Sequence, residues 1–203
     1  MWALVEDGSI TKYFSGNKGV TIGDIQYSKN IFSFRWTNEE REAIGLYEVE
    51  FDNTNKKDEQ WYINTNQSFA FAGGKVTASY GSATAKPHAD VLFTAQDESD
   101  GRGTEGELDA RGLKYNLIRS VKKQAANILA ETDWYVVRKA DAGTAIPSAI
   151  TNHRAAVRTK AAEQETAITN AADTPALETL HTYTTQEDGS VTRPLGELPT
   201  LEV

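Results

Sequence analysis

Two long stretches of helical periodicity constrain this chain more than any other feature. From about Glu107 to Glu131 the apolar residues Leu113, Leu117, Val121, Ala125 and Leu129 recur four apart, with Ile118 and Ile128 on the same face and Leu108 ahead of them. From Pro147 to about Asn170 the stripe is Ile150, Val157, Ala161 and Ile168. Spacings near 3.6 place each set on one side of a helix, and Lys114, Arg119, Lys122 and Lys123 fall off the first stripe. Pro147 suits the first helical position, where its missing N–H has no intrahelical partner. Two helices of about 24 residues, each roughly 36 Å long, bury their stripes most directly against one another. An antiparallel helical hairpin is therefore predicted over 107–180, with Thr174-Pro175 opening a last turn through Leu180.

The first 80 residues read differently. Trp2 and Leu4 alternate with Ala3 and Val5, Asp7-Gly8 suits a type I′ turn, and Ser9 to Phe14 forms the returning strand. Gly16 to Gly23 reads as loop, and Ile31 to Trp36 as a short buried strand or extended segment. Thr37 with Glu40 forms a capping box for a short helix that Gly45 terminates. Tyr47, Val49 and Phe51 then make an apolar strand face opposite Glu48 and Glu50. Gly73-Gly74 marks a hairpin between Phe69–Ala72 and Lys75–Tyr80. Residues 81–106 are rich in Gly, Ser, Ala, Asp and Thr and read as a connection carrying an apolar patch at Val91-Leu92-Phe93. Residues 181–203 are expected to hold a hairpin at Asp188-Gly189 and a Pro-bounded extended tail. The predicted class is thus α+β: a small antiparallel β domain over 1–80, the 81–106 connection, the helical hairpin, and a short β/extended tail.

Composition bounds what such a chain can do. With 21 Lys and Arg against 29 Asp and Glu, the net charge is −8, so nucleic acid is not an expected partner. The absence of Cys excludes disulfides, thiol catalysis and Cys-ligated zinc. No apolar run approaches a membrane span, and Met1–Asp7 has neither the basic nor the apolar region of a signal peptide, so no membrane association is expected.

No catalytic constellation is evident. His88, His153 and His181 lie in separate predicted elements without carboxylates at ligand spacing. There is no nucleophile elbow and no phosphate-binding loop, and Gly101–Gly106 follows no βαβ strand. With Gly101 set as the sixth residue of a calcium loop, Gln96, Glu98, Asp100 and Glu107 fall at positions one, three, five and twelve. Position one should be Asp, however, and an acidic solvated loop is the simpler reading. No cofactor and no metal are expected. Glu48 and Glu50 read as a solvated strand face. Trp36, Trp61, Tyr62, Phe69 and Phe71 are either core or a stacking surface of the kind that binds sugars. Trp134 and Tyr135 either cap the seam of the helical hairpin or form a knob for a partner.

Three blocks carry a resemblance. Met1–Gly8 resembles the opening hairpin of small bacteriophage tail-assembly proteins. Phe34-Arg35-Trp36-Thr37-Asn38-Glu39-Glu40-Arg41, with Ile44-Gly45-Leu46-Tyr47-Glu48-Val49, is similar to their short helix followed by a strand. Leu129-Ala130-Glu131-Thr132-Asp133-Trp134-Tyr135, followed by a helix with Arg154 and Arg158, resembles their C-terminal helices. The stretch Val136–Ala140 with Ala145-Ile146-Pro147 is most similar to the variant of marine and cyanobacterial tailed phages. The matching blocks span about half the chain; residues 52–106 and the tail after Thr185 resemble nothing in the family. The resemblance implies a non-enzymatic protein of the tail-fibre assembly type: a transient assembly chaperone, or a structural adaptor kept in the tail. It implies contact with other tail or tail-fibre proteins, or with further copies of the chain, through Trp134, Tyr135, Ile146, Arg154 and Arg158. The location would be the virion tail, or the host cytoplasm during assembly. A carbohydrate-binding module using Trp36, Trp61 and Tyr62 is the alternative, and it requires those rings exposed on one face. An enzyme such as a glycan hydrolase would need two carboxylates converging in a cleft.

Overall fold

The protein, seen in a computed structural model that describes residues 1–201, is α+β and divides into two compact units, Met1–Thr84 and Ala85–Val203. Among the described residues no helix is long and apolar enough to cross a membrane.

The first unit is built from β1 (Trp2–Glu6), β2 (Ser9–Phe14), β3 (Val20–Ile22), β4 (Ile25–Tyr27), α1 (Asn38–Glu42), β5 (Leu46–Asp52), β6 (Tyr62–Ile63), β7 (Ser68–Ala72) and β8 (Lys75–Ser79); β9 (Thr84–Ala85) lies at the unit boundary. Asp7 and Gly8 have φ of 49° and 75°, the two positive values a type I′ turn needs, and they return β1 into β2. Five strands form one sheet in the order β2-β1-β5-β8-β7. The predicted all-antiparallel sheet needs correction, because β5 and β8 run parallel. The Gly73-Gly74 hairpin puts β7 outside β8, so β8 enters beside β5 in the same direction.

The sheet curls until its edge strands meet, with the Tyr13 ring on β2 4.8 Å from the Phe69 ring on β7. Inside the curl lie Ala3, Val5, Val49, Val76 and Ala78, flanked by Ile10, Tyr47, Phe69 and Phe71. The outer face is covered too: Trp2 and Leu46 pack with Val20 and Ile31, flanked by Phe14, Tyr27, Phe32 and Trp36. This two-sided burial accounts for the unbroken apolar run of β1. It also corrects the expected face of β5, since Leu46 and Val49 are buried on opposite sides while Phe51 is exposed.

Ile31–Trp36, expected as a short strand or extended segment, forms no strand and begins in a 3-10 turn, Lys29–Phe32, capped by the Ser28 side chain. The carbonyls of Ile31 and Ser33, which a strand would have spent on a ladder, accept hydrogen bonds from the buried guanidinium of Arg41. Ile31 is driven into the core and Phe34 is left 94% exposed. Within Gly16–Gly23, expected as loop, Val20–Ile22 forms β3, which pairs antiparallel with β4.

The second unit contains β10 (Val91–Leu92), α2 (Ala95–Ser99), β11 (Leu108–Ala110), α3 (Leu113–Ala130), α4 (Asp133–Ala142), α5 (Ser148–Asn170), α6 (Thr174–His181), β12 (Thr184–Thr185) and β13 (Val191–Thr192). The stretch read as a connection is therefore structured. The Val91-Leu92 patch pairs with β11, which also takes Leu108 out of the predicted helix. Thr94 and Asp97 cap α2 reciprocally. The helix α3 runs against α5 in the opposite direction: Lys114 Nζ donates to Thr169 O at 2.8 Å, Lys122 pairs with Glu165 at 3.3 Å, and Arg154 reaches Leu129 O. The predicted α5 stripe of Ile150, Val157, Ala161 and Ile168 is buried, as are Val121 and Ala125 of α3. Pro147 stands one position earlier than predicted, as the N-cap of α5.

Candidate functional site

The junction of α3, α4 and α5 gathers four of the five residues that the sequence singles out. It begins with a helix end. The carbonyl of Leu129, in the last turn of α3, has no i+4 helical N–H to accept and takes the cap N–H of Glu131. Thr132 supplies two donors, its N–H at 3.2 Å and its Oγ1 at 3.1 Å. Arg154 adds a charged donor: Nη1 donates to Leu129 O at 2.6 Å and to Thr132 Oγ1 at 2.7 Å, and Nη2 donates to Asp133 Oδ1 at 2.8 Å. A cation is favoured at this end of α3 by the helix dipole, and the Asp133 carboxylate is favoured at the first position of α4. The planar guanidinium reaches all three acceptors at once, which the point charge of a lysine does not.

Arg154, expected as a partner-contacting residue, is 8% exposed. Its donors are turned inward, onto the α3–α4 joint. The Thr132-Asp133 pair is the other half of the same clasp. Because Thr132 Oγ1 is committed to Leu129 and Arg154, it makes no side-chain cap on α4.

The clasp fixes what α4 displays. None of its ten residues is buried. Trp134 and Val137, about one turn apart, are 51% and 65% exposed, and Val136 is exposed too. The Trp134 and Tyr135 rings lie 3.8 Å apart at 32°. The Arg138 guanidinium stacks on both, 4.6 Å from the first centroid and 5.2 Å from the second. The helix ends at Gly143, whose φ of 68° makes the left-handed C-cap with its N–H donating to Lys139 O. Ile146 is half-buried in the following loop. Arg158 is exposed on α5, one turn beyond the clasp, and donates to Arg154 O at 3.3 Å.

The sequence periodicity ends one helix near Glu131 and begins the next at Pro147, and so misses α4 between them. The available signals were Asp133 at a helix start and Gly143 at a helix stop, ten residues on. Arg138, the cation stacked on both rings, was missed as well.

The other candidates resolve into structure. Gln96–Ser99, the proposed start of a calcium loop, is helical: Gln96 Nε2 donates to Asp100, and Arg102 pairs with Asp97 at 2.7 Å. The hydrogen bonds from Thr94 hold the Asp97 carboxyl below its ordinary range, with Arg102 contributing less. Among the described residues no three His, Cys, Asp or Glu side chains come together as a metal site. Trp61 and Tyr62 are buried and Trp36 is half-buried, its ring edge-on to Tyr27 at 5.7 Å, so these rings do not share an exposed face. A concavity of about 570 Å³ in the first unit is lined by Trp2, Arg41, Glu42, Glu48, Glu50 and Lys75. Its cations are already engaged, Lys75 with Glu50 at 2.9 Å and Arg41 with backbone carbonyls, Asn38 and the Trp2 ring.

No protein-family model, no curated protein and no solved structure matches the chain.

Proposed function

We propose that this protein is a non-enzymatic component of a bacteriophage tail, either a tail-fibre-associated structural adaptor or a tail-fibre assembly chaperone. In this reading the exposed face of α4 is the contact surface. The observation that carries it is the pairing of a buried clasp with an exposed apolar helix. Arg154, Thr132 and Asp133 lock the base of α4, while Trp134 and Val137 stand half or more exposed above it. Exposed apolar side chains grouped around a stacked arginine have the composition of an interface centre, where Trp, Tyr and Arg dominate binding. The order of motifs that resembles tail-assembly proteins runs through the same residues. The β domain of the first unit, with two faces already filled, would hold a second tail component or serve as a spacer.

The deciding experiment is quantitative mass spectrometry of purified virions and of infected-cell lysate. A fixed copy number in virions makes the protein a tail structural component. Absence from virions, together with a complex with fibre protein in lysate, makes it a chaperone. Finding it in neither sinks the reading. In whichever complex is found, Trp134→Ala combined with Val137→Ser is expected to weaken association at least tenfold while leaving the unfolding transition unchanged.

A further inference from the structure

The C-terminal segment is held like a bound peptide. After α6 the chain passes through residues 182–192, all of them exposed, whose regular structure is the two-residue pairing of β12 with β13. It then returns to the helices. Leu195 is 4% exposed, and its N–H donates to Leu180 O at 3.0 Å. Gln164 of α5, only 3% exposed, donates Nε2 to Gly196 O at 2.9 Å. Gly196 has a φ of +70°, and a Cβ there would lie 2.8 Å from Lys160 Nζ, so the position next to the buried leucine favours glycine. Among the described residues these two hydrogen bonds tie residues 194–198 to the helices. Two more stay within the returning segment, Arg193 bonding Glu197 at 2.9 Å and Gly196 N–H donating to Arg193 O at 2.9 Å, while Tyr183 Oη, just after α6, donates across the hinge to Glu197 at 2.7 Å.

The helices α5 and α6 therefore present a small receptor for a Leu-Gly segment, made of an apolar seat, one backbone acceptor and one buried amide donor. The segment reaches it over a hinge that buries nothing, so opening the hinge forfeits no core packing. We propose that this seat is an exchange site, taking residues 194–198 of its own chain in the monomer and the same residues of a second copy in an assembly. Every contact to the seat is remade in trans, as are those of Tyr183 with Glu197 and Arg193, and the contacts between Arg193, Gly196 and Glu197 travel with the segment. Exchange of an identical element in this way is a low-cost route to dimers. Opened out, the hinge spans roughly 36 Å at about 3.3 Å per residue, enough to reach a neighbouring copy. The proposal is independent of the reading of α4.

The test uses the full chain. Equal amounts of ¹⁴N- and ¹⁵N-labelled protein are refolded together over a range of concentrations, then joined with a zero-length carbodiimide cross-linker. Digestion and mass spectrometry read the linkage of Lys160, whose Nζ lies beside Gly196, to Glu197, the next residue of the segment. Mixed-isotope links that rise with concentration toward half of the total, with a matching dimer in light scattering, are the expected result. A monomer giving only unmixed links at every concentration overturns the proposal. Two variants sharpen it. Deleting residues 187–190 shortens the hinge and is expected to shift the population to the dimer. Leu195→Asp is expected to abolish both mixed and unmixed links while the helical circular dichroism persists. Mixed links that survive Leu195→Asp would place the contact elsewhere and also overturn the proposal.

Discussion

Replacing Arg154 by Met should separate the clasp from ordinary surface charge. The substitution keeps the apolar stem that packs between the helices and removes the guanidinium. Three hydrogen bonds of 2.6, 2.7 and 2.8 Å are lost. A bond from a charged donor contributes about 1.5–3 kcal/mol. The sum is reduced in three ways: Leu129 O keeps its two bonds from Thr132, the Asp133 side chain is 58% exposed and is rehydrated, and removing a buried charge recovers its desolvation cost. About 2–3 kcal/mol remains. Asp133→Asn, by contrast, removes a half-exposed partner and should cost below about 1 kcal/mol. Urea unfolding followed at 222 nm reports chiefly on α3 and α5. With a slope of about 1.5 kcal/mol per molar urea, Arg154→Met should lower the midpoint by about 1.5 M. Arg154→Lys should recover only part of this, because an ammonium does not span three acceptors. Equal costs for Asp133→Asn and Arg154→Met, or an Arg154→Met midpoint within about 0.3 M of the parent at that slope, would refute the clasp.

Gly45→Ala should destabilise the first unit by at least about 2 kcal/mol, because φ is +78° and the added Cβ would lie 2.5 Å from Val5 O; thermal unfolding reads this directly. Ile168→Ala, at a fully buried α5 position, should cost about 2–5 kcal/mol by denaturant titration, whereas Trp134→Ala should stay within about 0.5 kcal/mol. Burial pushes the His181 imidazole below its ordinary 6.5, with the nearby Arg193 charge adding to the effect and the hydrogen bond to Leu177 O opposing it. The folded state therefore prefers the neutral ring. This contribution is intact above pH 6.5 and is lost as pH falls through 6.5 toward the lower folded value. His181→Gln should flatten that part of the stability curve between pH 7.5 and 5.5, and an unchanged slope would show that the group does not titrate differently on folding.

Local chemistry alone determined much of this protein. The Asp7-Gly8 and Gly73-Gly74 turns, the Thr37–Glu40 capping box and the buried stripe of α5 follow from backbone conformation and helical period, and neither depends on distant residues. Tertiary structure decided the rest. The parallel pairing of β5 with β8 depends on where a hairpin docks, and no periodicity within either strand encodes that. Ile31–Trp36 has strand composition, yet Arg41, five residues beyond Trp36, takes the carbonyls a ladder would need and turns the segment outward at Phe34. Arg154 and Arg158 look equivalent as spaced arginines on one helix. Only the position of the α3 end makes the first a buried clasp and leaves the second exposed, because a helix period specifies which residues share a face but not what that face meets.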